Sequence, residues 1–192
     1  MRLKTIALVF TLMAILLTST ACSQAKPDDA VTSFLDHLIA GEYESAAAFF
    51  EGDITETFEF DTSSDKTAEL ILAKVSYNIK SSTVDGDTAI VSTEIIAPNL
   101  AVIVGQVMSA ALPMAFATAF SEGENSNQEA MDQFVEETLT SLLSDPNVPM
   151  TTTTVDIHLQ KVEKEWKIQP NDDLANAITG GAMKAFENFN FE

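Results

Sequence analysis

The sequence has a single cysteine, Cys22, so no disulfide within the chain can staple the fold, and any domain it forms must be held by its core. Basic residues are also scarce: ten Lys and Arg stand against 29 Asp and Glu, for a net charge of −19. Such a surface repels nucleic-acid phosphates and anionic lipid headgroups, which argues against DNA or RNA as a partner. The simplest use of so many carboxylates is solubility. Histidine occurs only twice, as His37 and His158. Missing altogether are a G-x-S-x-G nucleophile elbow, a Walker loop, a dinucleotide-binding glycine loop and an H-E-x-x-H zinc pair. The stretch DTSSDKTAEL sets oxygens at Asp61, Ser63, Asp65 and Thr67 in the manner of a calcium loop. It fails where Lys66 takes the glycine position and Leu72 the closing glutamate position. No metal and no cofactor follow from the sequence.

What is present begins at the N-terminus, MRLKTIALVFTLMAILLTSTACSQ. Arg2 and Lys4 precede an apolar run from Thr5 to Leu17, and small residues follow, which is the layout of a secretory signal. The run is shorter than the roughly 20 residues that span a bilayer comfortably. Ser19-Thr20-Ala21-Cys22 resembles the lipobox of bacterial lipoproteins, with Ser19 standing where leucine is usual. The resemblance implies cleavage between Ala21 and Cys22 and a diacylglyceryl group on Cys22. Two acyl chains hold a protein stably, since each buried CH₂ contributes about 0.8 kcal/mol. The expected layout is a signal over residues 1–21, a tether over 22–27 and one α+β domain over 28–192. The protein then sits at the outer face of the cell membrane, held by lipidated Cys22.

Pro27-Asp28-Asp29 starts a helix that carries Val31, Phe34, Leu35, Leu38 and Ile39 at helical spacing and ends at Gly41. Tyr43, Ala46, Ala47 and Phe50 mark a second short helix, Ile54 to Phe60 a short extended segment, and Asp65 to Leu72 a further helix. The period then falls to two. Val75, Tyr77 and Ile79 alternate with polar residues, Asp85-Gly86 signals a hairpin, and Thr88 to Ala97 returns as a second strand. A polar loop, SEGENSNQ, and an amphipathic helix from Ala130 to Ser144 follow the apolar stretch. Met150 to Val162 and Glu165 to Ile168 are the remaining strands, and Asn171 caps a closing helix interrupted by Gly180-Gly181. That pair either breaks the helix or admits another backbone. Helices segregated on an antiparallel sheet mean α+β. FLDHLIAGEYESAAAFF, VDGDTAIVSTEI and KVEKEWKI resemble parts of nuclear-transport-factor-2-like, or cystatin-like, domains, as found in lipoproteins of Firmicutes. The resemblance implies a curved antiparallel sheet packed on the N-terminal helices, with a cone-shaped pocket. Here a helical hairpin over about 99–145 is inserted.

Candidates for chemistry are few. Asp156 and His158 lie two apart on one strand, and a His–Asp pair can move a proton. With Tyr77 they would make a proton-transfer site of an isomerase-like or hydrolase-like enzyme, provided all three meet in one pocket. The plainer reading is a solvated strand face.

The stretch NLAVIVGQVMSAALPMAFATAF, Asn99 to Phe120, stands apart, because no charged residue occurs between Glu94 and Glu122. It is long enough to cross a bilayer, but a crossing would separate the strands before and after it. The expectation is a hairpin arm, bent near Pro113, packed on the sheet and the closing helix. Asn99, Gln106, Ser109 and Pro113 fall near one side, which leaves more apolar surface than one partner helix covers. Ile103, Val107, Leu112, Met114, Phe116 and Phe120 are the candidate surface for a protein partner or an apolar ligand. A binding module, a cone-pocket enzyme and a self-association module are the functions that this leaves open.

Overall fold

The computed structural model describes residues 25–51, 65–119 and 124–187. The signal, Cys22, the segment from Ile54 to Phe60, the start of DTSSDKTAEL and Phe120 lie outside them. Helix α1 (Pro27–Ile39) starts with proline at its first turn, where a missing N–H costs nothing, and with Asp28 and Asp29 beside the positive end of the helix dipole. Lys26 holds the cap position. Gly41 follows at φ 75° and turns the chain into α2 (Tyr43–Ala47). Helix α3 (Asp65–Leu72) precedes the sheet.

Four strands form an antiparallel meander in sequence order: β1 (Ser76–Asp85), β2 (Thr88–Pro98), β3 (Met150–Val162) and β4 (Glu165–Ile168). Gly86, at φ 61°, makes the tight β1–β2 turn, and the register of that pair shifts between Ile79 and Ser81. β2 and β3 pair along their whole length, from Thr88 opposite Gln160 to Pro98 opposite Met150. Between these paired ends the chain leaves as a hairpin, α4 (Leu100–Ala119) and α5 (Glu124–Ser144). A single membrane crossing by α4 is incompatible with that pairing. The chain is therefore α+β, with helices before and after an antiparallel sheet.

Alternation places one face of β2, β3 and β4 inside, while β1 contributes only half-buried Tyr77 and Ile79. Val91 and Ile95 of β2, Ile157 and Leu159 of β3 and Ile168 of β4 pack with Val31, Phe34 and Leu35 of α1, each at most 2% exposed. Phe34 meets Phe50 edge-on, with ring centroids 5.1 Å apart. Just after α2, the Ile168 N–H donates to the Phe49 carbonyl at 2.7 Å, which ties this segment to β4. The closing helix is two helices, α6 (Asp172–Ile178) and α7 (Ala182–Glu187). Leu174, Ala177 and Ile178 complete the main core.

Two expectations change. The polar segment SEGENSNQ is not all loop: α5 already begins at Glu124, because Glu and Gln are good helix formers and acids favour the first turn. The apolar stretch is not buried on the sheet: α4 packs mainly on α5, touches α7, and only 11% of Leu100–Ala117 is buried.

Candidate functional site

Asn99 launches α4. Its backbone N–H donates to the Pro149 carbonyl at 2.7 Å, and its side-chain oxygen accepts from the Val102 N–H at 3.1 Å. The helix then runs on through Pro113 to Ala119. Its covered face is Leu100, Ile103, Val104, Val107, Ala111 and Met114, spaced three and four apart, all buried or half-buried. At the base, Ile103 is fully buried with Leu143 and Val148, and Leu70 and Ile71 of α3 pack against this small second core.

Of the residues expected to form a free apolar surface, Ile103 and Val107 are corrected. They are 0% and 6% exposed, because the spacing of four puts both under α5. Met114 shares that face and is half-buried. Leu112 and Phe116 are open, at 54% and 65% exposure, and Met108, which the sequence did not single out, joins them at 54%. Ala101, Gly105, Met108, Leu112 and Phe116 form one continuous ridge beside the covered face, centred about 130° round the helix from it by the 100° step. From Met108 to Ala117, and from Gln128 to Glu137 on α5, no side chain is fully buried. The distal hairpin is thus an arm, with an apolar ridge on α4 and a polar outer face on α5. Large exposed apolar side chains set in a row mark contact surfaces.

The second candidate does not assemble. The Tyr77 hydroxyl donates to Asp36 Oδ1 at 2.6 Å, linking β1 to α1. Burial, and then the Asp36 carboxylate beside it, push its pKa up to about 12. Asp156 and His158 lie elsewhere, exposed on β3. They line an open groove with Asn171, Asp173, Asn176 and Lys184. Lys184 is engaged there with Asp173 at 2.9 Å, and Asn171 serves structure. It caps α6 by accepting from the Asp173 and Leu174 N–H groups, and donates to the Asp156 carbonyl at 3.1 Å. The three proton-transfer candidates therefore do not meet in one pocket. His37 pairs with Glu42 at 2.5 Å and stacks on Phe49. Among the described residues no three His, Cys, Asp or Glu are grouped to hold a metal.

Comparison with protein-family models gives no match, and comparison with the curated proteins gives none. Among solved structures, the chain is similar to the "putative lipoprotein (ycdA)" of Bacillus subtilis subsp. subtilis str. 168, at 15% identity and a TM-score of 0.43. The match takes in 81% of this chain and 47% of that one, so the chain spans about half the length of that protein.

Proposed function

We propose that this protein is an extracytoplasmic binding module, anchored to the outer face of the cell membrane through lipidated Cys22, that docks a partner on the exposed ridge of α4. The single observation that carries the binding role is that ridge: an uncharged helix of which 11% is buried, with Met108, Leu112 and Phe116 in line on its open side. The anchor rests on the signal layout and on a lone cysteine in lipobox position. The order of helix, hairpin and second hairpin supports reading the body as a cystatin-like scaffold, whose job here is to hold the arm. An open ridge suits a protein surface better than a small apolar ligand, which binds in concave sites.

The test is site-specific photocrosslinking in intact cells. A photoreactive residue replaces Leu112 in one strain and exposed Thr154, on the outer sheet face, in another. A crosslinked species expected from position 112 and absent from 154 supports docking on the arm. Equal labelling from both positions, or none from either, overturns it.

A further inference from the structure

The arm has a chemical asymmetry. No Lys or Arg occurs between Lys80 and Lys161, so the whole hairpin carries acids and no base. On α5, Glu129, Asp132, Glu136 and Glu137 are exposed, and none takes part in the ion pairs of the described residues. Their height along the arm follows from the packing. Ile103 shares a cluster with Leu143. In an antiparallel pair, Phe116 and Glu129 each lie about 20 Å beyond that contact, at 1.5 Å per residue. The acids therefore stand level with the distal ridge, one helix away. A helix on the ridge packs on a different side of α4 from α5, so at about 8–10 Å per packing step its axis lies roughly 15–20 Å from that of α5, and the long Lys or Arg side chains on its flank are what come within about one Debye length of the acids.

We propose that the ridge receives a cationic amphipathic helix of a partner protein, apolar face on Met108, Leu112 and Phe116, basic flanks in the field of the α5 acids. This rests on the binding-module reading and names the partner's chemistry. The sign of the charge selects among occupants. A second copy brings a net charge of −19 and an acidic α5 of its own. An anionic bilayer is repelled, and the arm offers no Lys or Arg to reach its headgroups. A basic amphipathic helix satisfies both features at once, as in helix-in-groove recognition. Because the acids act through the field more than by contact, they chiefly speed association, and the ridge sets the dissociation rate.

The test uses the full lipidated protein in zwitterionic nanodiscs, with empty discs as the blank. An environment-sensitive dye on L112C reports burial. The probe is a synthetic 18-residue Leu/Lys amphipathic helix, with its Leu/Glu counterpart as control. Before peptide is added, the dye should emit as in water. The Leu/Lys peptide should shift it blue, saturably and less at high salt, and the Leu/Glu peptide should not. Phe116→Glu should weaken binding at least tenfold. Glu129→Gln, Asp132→Asn and Glu136→Gln together should weaken it at least threefold and flatten its salt dependence. Neutralising Asp85, Asp87 and Glu163, at the far end of the sheet, should do neither. Equal loss from both triple variants overturns the proposal as general attraction to an acidic chain. A dye already buried before peptide overturns it too, in favour of a second copy if the burial disappears on dilution and of the bilayer if it persists. A crosslink at position 112 in cells without Leu/Lys binding leaves the binding module standing and removes the cationic helix.

Discussion

Gly180 lies directly against the backbone of Pro98: a methyl group built on its Cα would fall 1.8 Å from the Pro98 carbonyl oxygen. Gly180 and Gly181, at φ 57° and 90°, end α6 and turn the chain into α7. Both roles that the glycine pair suggested are thus filled, and the close approach occurs where β2 hands over to α4. Gly180→Ala combines a left-handed conformation, costing about 1–2 kcal/mol, with displacement of backbone that overpacking values put at a further 1–3 kcal/mol. Nothing lies within 4 Å of the corresponding position on Gly181, so Gly181→Ala carries the conformational cost alone. Urea denaturation should show Gly180→Ala losing about 2–5 kcal/mol and Gly181→Ala about 1–2 kcal/mol. Equal losses would mean that contact with Pro98 does not matter.

The two sides of α4 should respond oppositely to truncation. Ile103→Ala opens a cavity beside Leu143 and Val148 and should cost about 2–5 kcal/mol. Leu112→Ala removes an exposed side chain and should change stability by less than about 0.5 kcal/mol. Thermal and urea unfolding of the two variants would check this. A large loss from Leu112→Ala would show the ridge buried in the free protein.

These contrasts show where the sequence stops speaking. The strands are legible because Val155, Ile157 and Leu159 alternate with polar residues, and the structure keeps Met150–Val162 as one strand. The β1–β2 turn is legible because Gly86 supplies positive φ. In α4 apolar residues lie on every side, so no pattern tells the covered face from the open one. Ile103 and Leu112 read alike in the sequence and end at 0% and 54% exposure. Leu143 is fully buried, yet the amphipathic stripe reads just as well through Leu139 and Leu142. What buries it is the meeting with Val148 and α3, a tertiary contact that no local period encodes. Asp156, His158 and Tyr77 fail as a site for a similar reason: strand alternation sets the side of the sheet, while the packing of α1 against β1 claims Tyr77.

Tyr77 offers a spectroscopic check on that packing. Its phenol is held neutral by burial and by Asp36, with a pKa near 12 in the folded protein against about 10 when unfolded. A folded pKa raised above the unfolded value stabilises the fold fully below pH 10, and the effect is lost as pH rises from 10 towards 12. Ultraviolet titration of the two tyrosines, Tyr43 and Tyr77, should show one ionising near pH 12. Asp36→Asn removes the charge but not the burial, so the late midpoint should move down part of the way and stay above 10. An unmoved midpoint would rule out the Asp36 contact.

The anchor yields the last prediction. If the thiol of Cys22 carries the lipid, Cys22→Ala cannot be acylated. The variant should then either leave the membrane or keep its leader and run at precursor mass. Ser19 and Ala21 also suit cleavage by an ordinary signal peptidase, which would release it to the medium. Fractionation with intact-mass measurement distinguishes these fates. A Cys22→Ala protein of processed, unlipidated mass that stays on the membrane would refute the lipid anchor. It would also shift attention to α4, the one helix among the described residues long and apolar enough by composition to cross a membrane. Adding Phe116→Glu to that variant separates the two. Release only in the double variant assigns the retention to the ridge, whereas a double variant that remains bound assigns it to neither Cys22 nor the ridge.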